Sequence, residues 1–469
     1  MERMTAREIE SGVKGRLLQG SPGTMVTGIS IDSRTCGPGD AFFALSGDRF
    51  DGHDFLCAAT DSGCALLVVS QREKIPAGFS GAVVLAVDTT EALQDLAAAW
   101  LLRVKPVTVA ITGSVGKTTV KDMIAWVCSD NYKTVWSKKN FNNHIGVPLT
   151  IFEVNSDTEA LILEMGMNHP GEIRRLAGIA RPDIAVITNV GLAHSENFDS
   201  EDGIFKAKME VADFMGENCV LVLNGDDPKL SEVQADSKPY GVLTAGTNEG
   251  SDYVIRDICY NDEGNLRFNI ESADEIERFI LPAAGIYNGV NAGLAVAALS
   301  RVHISMSKAS SRLRNMERTP QRLERKQGAG FIVIDDTYNA SPDSMKSGID
   351  YLVSLKGERH VAILAGMREL GDDSAALHRD VGDYAIRAGV DMVAAVGERA
   401  EGIFAGASAA SGEDGAAGKA RFFPDKEEAC GFFRETTREG DVFLVKGSRG
   451  EKMEDVVGCL MGIECDDNE

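Results

Sequence analysis

The sequence predicts an α/β protein of three units, with a doubly wound parallel sheet at its centre. Three observations carry this. Short apolar runs, rich in β-branched residues, alternate with helical stretches from residue 107 onwards. That is the pattern of strands buried on both faces by crossover helices. A glycine-rich loop joins the first of those runs to a helix. And 469 residues are more than one hydrophobic core organises.

The elements follow in order. Residues 1–103 hold short apolar segments at 41–45 and 65–69 and a helical pattern at 91–97, an N-terminal α/β unit. Lys105-Pro106 reads as a linker. Residues 104–319 form the central unit. Its first strand, 107–111, leads through the loop into a helical run at 120–127. Strands are expected at 160–163, 184–187 and 220–223, then shorter strand-like segments between 253 and 281 as an antiparallel edge. A helix of small residues follows at 290–299. Residues 320–469 show four more apolar runs, at 331–334, 361–364, 392–396 and 442–445, which predict a second doubly wound, Rossmann-like unit. No Gly-x-Gly-x-x-Gly follows its first strand, so no dinucleotide is expected there. The stretch 405–418, rich in Gly, Ala and Ser, reads as a flexible surface insert.

Composition narrows the function. A 43% hydrophobic and 25% charged chain is that of a soluble globular protein. It has no apolar run long enough to span a bilayer and no apolar leader at its start, so the cytoplasm is expected and membrane insertion is not. With 48 basic against 71 acidic residues the net charge is −23, which argues against a nucleic-acid surface. Nine Cys without a Cys-x-x-Cys pair suggest reduced thiols.

The segment Gly113-Ser114-Val115-Gly116-Lys117-Thr118-Thr119 carries the clearest chemistry. Glycines let backbone N–H groups approach phosphate oxygens, and the helix N-terminus adds partial positive charge. Lys117 reaches the β- and γ-phosphates and the Thr118 hydroxyl ligates Mg²⁺. Ile111 stands where the usual spacing has its first glycine, so this is a shorter Gly-x-x-Gly-Lys-Thr variant.

Ligands sit at the C-terminal ends of parallel strands, and several polar residues fall there. Glu164 follows a fully apolar strand and is placed to hold Mg²⁺ near the γ-phosphate. Asn189 and His194 follow the next strand; position alone does not separate a catalytic from a structural histidine. The amide-rich segment 140–148, with Asn142 and Asn143, fits either a polar-substrate contact or a capped turn. Lys206 and Lys208 read, on sequence physics alone, as a solvated helix face.

With these residues in place the chain resembles the Mur ligase family, ATP-dependent amide ligases of bacterial cell-wall precursor synthesis. The resemblance covers essentially the whole length. It rests on Asp32-Ser33-Arg34, on 45–53, on the loop 111–119, on 142–150, on Glu164-Met165-Gly166-Met167-Asn168 and on 188–194. In the third unit it rests on 335–345, Met367-Arg368-Glu369-Leu370-Gly371 and Val445-Lys446-Gly447-Ser448-Arg449.

The resemblance implies two Mg²⁺ ions, held by Thr118, Glu164, His194 and a carbamylated lysine. Lys208 is the matching position and Lys206 the alternative. Lys117, His194 and Lys208 would be catalytic. Asn288 and Asn291 would lie beside adenine, where the family usually has His at Tyr287. Arg322 would reach the nucleotide from the third unit, and Asp336, with Asn339 close by, would contact the ribose. Ser33, Arg34, Phe50, Asn142 and Asn143 would serve the uridine-nucleotide substrate. The stretches 335–345 and 446–449 favour the branch that adds D-alanyl-D-alanine to UDP-N-acetylmuramoyl-tripeptide through an acyl phosphate. Amino-acid-adding or folylpolyglutamate-type ligases, or a P-loop NTPase switch, are the alternatives. A monomer is expected, whose third unit closes when ATP binds.

Overall fold

The chain is ordered by three principal sheets. The computed structural model describes residues 2–462 apart from 48–49, 192–196, 199, 234–237, 262–263, 318–320 and 413–418.

The first sheet has five strands in the order Arg16–Gln19, Ala82–Leu85, Leu66–Val69, Asp40–Phe43 and Gly28–Ser30, parallel except at the Arg16–Gln19 edge. Helix Thr89–Val104 closes this unit. The Asp88 carboxylate caps it by accepting from the Glu91 N–H at 2.8 Å, and Lys105, at φ 55°, ends it in the left-handed region. The 105–106 linker is thus a helix-terminating turn that feeds directly into strand Val107–Thr112.

That helix packs both ways. Leu93, Leu96 and Trp100 share one apolar core with Phe43 and Val68 of the first sheet and with Leu161 and Leu163 of the second. The Trp100 indole donates to the Val154 carbonyl at 3.0 Å, and the Gln94 amide to the His144 carbonyl at 2.9 Å. The Arg175 guanidinium donates to the Gln94 side chain from the far side.

The central sheet has nine strands. From one edge they run Thr134–Trp136, Ala160–Glu164, Val107–Thr112, Ile184–Ile187, Val220–Asn224, Gly241–Gly246 and Tyr253–Tyr260, all parallel. Leu266–Glu271 and Ile276–Leu281 then add the antiparallel edge that the sequence predicts. Thr134–Trp136 and Gly241–Gly246 go beyond that expectation. Helices Lys117–Cys128 and Tyr287–Ser300 cover one face, with Val120, Ile124, Ala295 and Val296 in a common core. A Cβ at Gly293 would meet Ile255 Cδ1 at 2.7 Å, so the small-residue helix lies close on its sheet.

The third sheet runs Glu324–Gln327, Ile332–Asp336, Asp441–Lys446, Arg359–Ala365, Met392–Val396 and Ala420–Phe423, parallel except for the first pair. One expectation is corrected here. Residues 405–411 belong to helix Glu401–Ser411, which packs on helix Ser374–Arg387. A Cβ at Gly406 would lie 1.9 Å from the Arg379 carbonyl oxygen, and one at Gly382 2.0 Å from that of Ile403. The small residues there permit close helix contact; they do not mark a mobile insert. Residues 413–418 of the same stretch lie outside the described residues. No helix among the described residues is long and apolar enough to cross a membrane.

Candidate active site

Register places the chemistry. The parallel pairing sets Glu164 beside Ile111, and Ile187 beside Thr112. Three strands therefore end together at the glycine loop. Gly113 (φ 145°) has no room for a side chain: a Cβ would lie 1.9 Å from Thr188 Oγ1. Gly116 (φ 88°) abuts Asn291, whose Oδ1 would lie 2.8 Å from a Cβ. The loop is gripped from the neighbouring strand. Asn189 Oδ1 accepts the N–H groups of Ser114 (3.0 Å) and Val115 (2.8 Å), and the Thr188 hydroxyl donates to the Val115 carbonyl. Helix Lys117–Cys128 then starts at Gly116 with no side chain capping it. Its first-turn N–H groups and dipole are left for an anion.

Lys117 Nζ donates to the carbonyls of Gly113 (2.7 Å) and Ser114 (3.1 Å), folded over the loop that would cradle phosphate. Desolvation in the cleft lowers its pKa; Glu164 opposes the shift and Arg322 adds to it. Glu164 is buried. Its Oε1 accepts from Asn142 Nδ2 at 2.9 Å, while its buried Oε2 has no hydrogen-bond partner among the described residues. A buried carboxylate oxygen without a donor is costly unless a cation meets it. Thr118 Oγ1 accepts from Arg322 Nη2 at 3.1 Å, and the Arg322 guanidinium lies 4.2 Å from the centre of the Tyr338 ring. The third unit thus touches the residue that would ligate the nucleotide's metal.

The two candidate lysines separate clearly. Lys206 is exposed and Lys208 is buried. Burial, and then the charge of Lys117, holds the Lys208 amine well below its ordinary 10.5, against the pull of Asp227. No group of three or more His, Cys, Asp or Glu side chains gathers as a metal site among the described residues. The donors present are a hydroxyl, a carboxylate and an amine that carbamylation would make anionic. They fit Mg²⁺, whose shell is completed by phosphates and water. His194 lies outside the described residues.

Elsewhere the residues take specific partners. Asn143 Oδ1 accepts from Ile145 and Gly146 N–H (3.1 and 2.8 Å), serving the turn before helix Gly146–Ile151. Asn291 Nδ2 donates to Asn288 Oδ1 at 2.8 Å, and Asn288 Nδ2 to the Ala284 carbonyl. Burial and the nearby Asp336 charge push the Tyr287 phenol upward. Asp336 is buried and bonded to Lys446 Nζ at 2.6 Å; that amine also donates to the Asn339 carbonyl at 2.9 Å, while Asn339 itself is exposed. Ser33, Arg34 and Phe50 lie on the first unit, away from the loop's hydrogen bonds. Arg34 is exposed and forks onto Asp32, whose carboxyl it draws down to about 2; Phe50 is 73% exposed. Thr188 is a residue that the sequence does not mark as a site residue, and Lys446, in the 446–449 turn, bonds Asp336. A hydroxyl next to the strand-end Asn189 and a lysine ending an apolar strand were the available signals. A cleft of about 140 Å³ separates Ser114 and Val115 from Ser341, Asp343, Lys346 and Asp380 of the third unit.

Three family models match this chain in succession: Mur ligase family, catalytic domain, over residues 25–101; Mur ligase middle domain over 111–299; and Mur ligase, glutamate ligase domain, over 321–449. The UDP-N-acetylmuramoyl-tripeptide--D-alanyl-D-alanine ligase of Bacillus subtilis (strain 168) is 35% identical over 465 residues, covering 98% of this chain and 99% of the relative. The chain belongs to the Mur ligase family. The Escherichia coli (strain K12) enzyme of the same name is 34% identical, over 94% of this chain and 95% of its own. Among solved Mur ligases, MurF from Acinetobacter baumannii superposes with a TM-score of 0.90 at 30% identity, covering 98% of this chain and 99% of its own. The MurF ligase from Thermotoga maritima in complex with ADP gives 0.82 at 28%, covering 93% and 97%. The α/β, three-domain architecture expected from the sequence is that of these Mur ligases.

Proposed function

We propose that this chain joins D-alanyl-D-alanine to UDP-N-acetylmuramoyl-tripeptide at the expense of ATP. One observation carries the reading. An uncapped glycine loop with Lys117 faces a buried carboxylate oxygen that has no partner among the described residues, and an arginine of the third unit meets Thr118 in the same cleft. Full-length relatives named for this reaction support the substrate pair.

The terminal carboxylate of the tripeptide attacks the γ-phosphorus, ADP leaves, and an acyl phosphate forms. The dipeptide amine then attacks the acyl carbon; the nitrogen gives up a proton and inorganic phosphate departs from the tetrahedral intermediate. Phosphoryl transfer of this kind needs alignment and charge neutralisation more than a protein nucleophile. Loop N–H groups and Lys117 align and neutralise the phosphates. Thr118, Glu164, His194 and Lys208 would hold two Mg²⁺ ions, which supply cationic stabilisation when bound. The depressed basicity of Lys208 favours its free amine, the form that adds CO₂. Asn288 and Asn291 hold the adenine side, Asp336 the ribose and Arg322 the nucleotide. Asn339, exposed beside Asp336, lies within reach of the same sugar. Ser33, Arg34 and Phe50, with Asn142 and Asn143 nearer the loop, serve the uridine nucleotide. The incoming dipeptide enters between the loop and Asp343, and closure of the third unit excludes water from the acyl phosphate.

The same reading sets domains at 1–103, 104–319 and 320–469, and a cytoplasmic monomer using small-molecule substrates. Phosphate release with the uridine-nucleotide tripeptide and a panel of amino acids and dipeptides tests it. Release only with D-alanyl-D-alanine is expected. Release with single amino acids would place the chain among the amino-acid-adding ligases. Equal release without either co-substrate would make it a nucleotide hydrolase.

A further inference from the structure

The loop that grips the phosphate cradle is itself gripped from one strand further out. Strand Val220–Asn224 ends beside strand Ile184–Ile187. From that end Asn224 Nδ2 donates to the Thr188 carbonyl at 2.9 Å. Three residues further on, Asp227 Oδ2 accepts the Val190 N–H at 2.7 Å. The two side chains therefore bracket residue 189, whose Oδ1 holds the Ser114 and Val115 N–H groups.

Both brackets are preorganised. Asn224 Oδ1 accepts the Asp226 N–H at 2.9 Å, which fixes the amide's orientation. Asp227 is buried, and its second oxygen accepts from Lys229 (2.9 Å) and Leu230 (3.0 Å) N–H. A buried carboxylate fed by three backbone N–H groups is a stiff joint. The turn is anchored outward too: Asp226 accepts from Thr247 N–H at 2.8 Å and Asn248 N–H at 3.1 Å.

We propose that Asn224 and Asp227 are positioning residues for the nucleotide, acting through residues 188–190 on the glycine loop. Neither hydrogen-bonds the loop itself; Asn224 acts through Thr188 and Asp227 through Val190, while the Asp227 charge also acts on Lys208. Asp226, in the same turn, turns its carboxylate to Thr247 and Asn248, just past the outer strand Gly241–Gly246. The proposal rests on the ATP-dependent reading above, for which the unmodified chain is the control.

The test compares Asn224→Ala, Asp227→Asn and Asp227→Ala with Asp226→Ala in the full-length chain. Thermal midpoint, Mg·ADP affinity by calorimetry, and KM and kcat for each substrate are measured. If positioning is their role, Asn224→Ala and Asp227→Ala lose about tenfold or more in Mg·ADP affinity and in kcat/KM for ATP. Binding of the uridine-nucleotide tripeptide stays unchanged. Asp227→Asn keeps one acceptor oxygen and falls between. Asp226→Ala lowers the midpoint by a similar amount and leaves nucleotide affinity intact. The proposal is overturned if the inner variants lose stability alone, or lose kcat through a smaller active fraction with Mg·ADP affinity unchanged. It is likewise overturned if Asp226→Ala weakens nucleotide binding as much as they do. Because the Asp227 charge also acts on Lys208, Asn224→Ala decides, whether or not Asp227→Ala folds. Failure of the wild-type chain to bind Mg·ADP would strike the underlying reading instead.

Discussion

Helix Lys117–Cys128 in the central unit and helix Pro342–Ser354 in the third each follow a buried parallel strand, yet only the second closes its own start. Pro342 stands at its first position and has no N–H to leave free, and the Ser341 N–H donates to Ser344 Oγ at 2.8 Å. The first begins at Gly116 with no cap. The charged groups differ in the same sense. Lys117 is half-buried and, among the described residues, hydrogen-bonds carbonyls alone, whereas Asp336 and Lys446 neutralise one another at 2.6 Å. One strand end is left unsatisfied in a way that an anion would satisfy. The other is complete, and offers a fixed carboxylate edge. Two units of similar winding thus divide the work by a handful of side chains.

The sharpest way to break this contrast is Lys117→Ala. It should cut ADP release about 10³-fold while leaving uridine-nucleotide binding unchanged. Retained turnover would remove the cradle from the chemistry. Next comes Lys208→Ala, with an expected loss of about 10²-fold and partial recovery in acetate or formate, beside an unaffected Lys206→Ala. Recovery confined to the Lys206 variant would move the modification to that residue. Lys446→Met should destabilise the fold by about 3 kcal/mol, because it strands the buried Asp336 charge. Lys117→Ala should cost no stability in the same urea titration, since it removes a desolvated cation. Equal losses would erase the distinction between a completed and an open strand end.

The smallest effect concerns His378, behind the third unit's site. Its Nε2 accepts the Met367 N–H at 2.8 Å and its Nδ1 bonds the Ser374 carbonyl at 2.7 Å, so the ring is held neutral. Burial depresses its pKa below the ordinary 6.5. As pH falls below that value the unfolded chain takes up a proton that the folded chain refuses, so stability declines until the folded pKa is reached. Urea midpoints between about pH 7.5 and 5.5 should show this slope, and His378→Gln should flatten it. An unchanged slope would assign it to other groups.

Much of this was legible in the chain. The loop 113–119 announces itself because phosphate binding demands glycine at particular backbone angles, and both glycines prove irreplaceable against Thr188 and Asn291. Apolar runs locate most strands because parallel strands are buried on both faces. The weaker strands carry no such signal for the converse reason: Glu324–Gln327 is an edge with the sequence Glu-Arg-Lys-Gln. The glycine- and alanine-rich stretch misled because flexibility and close helix packing draw on the same small residues, and only the facing helix decides between them. Lys208 looked like a solvated charge since its helix offers no periodic warning; what buries it comes from elsewhere in the sequence. Asn142 against Glu164 is likewise a contact across 22 residues that spacing does not reveal.

Helix Thr89–Val104, embedded with Trp100 in the apolar interior common to the first two sheets, carries a further consequence. The first sheet and the central sheet share one apolar interior through this helix. A cavity opened at Trp100 would therefore be felt by both sheets at once.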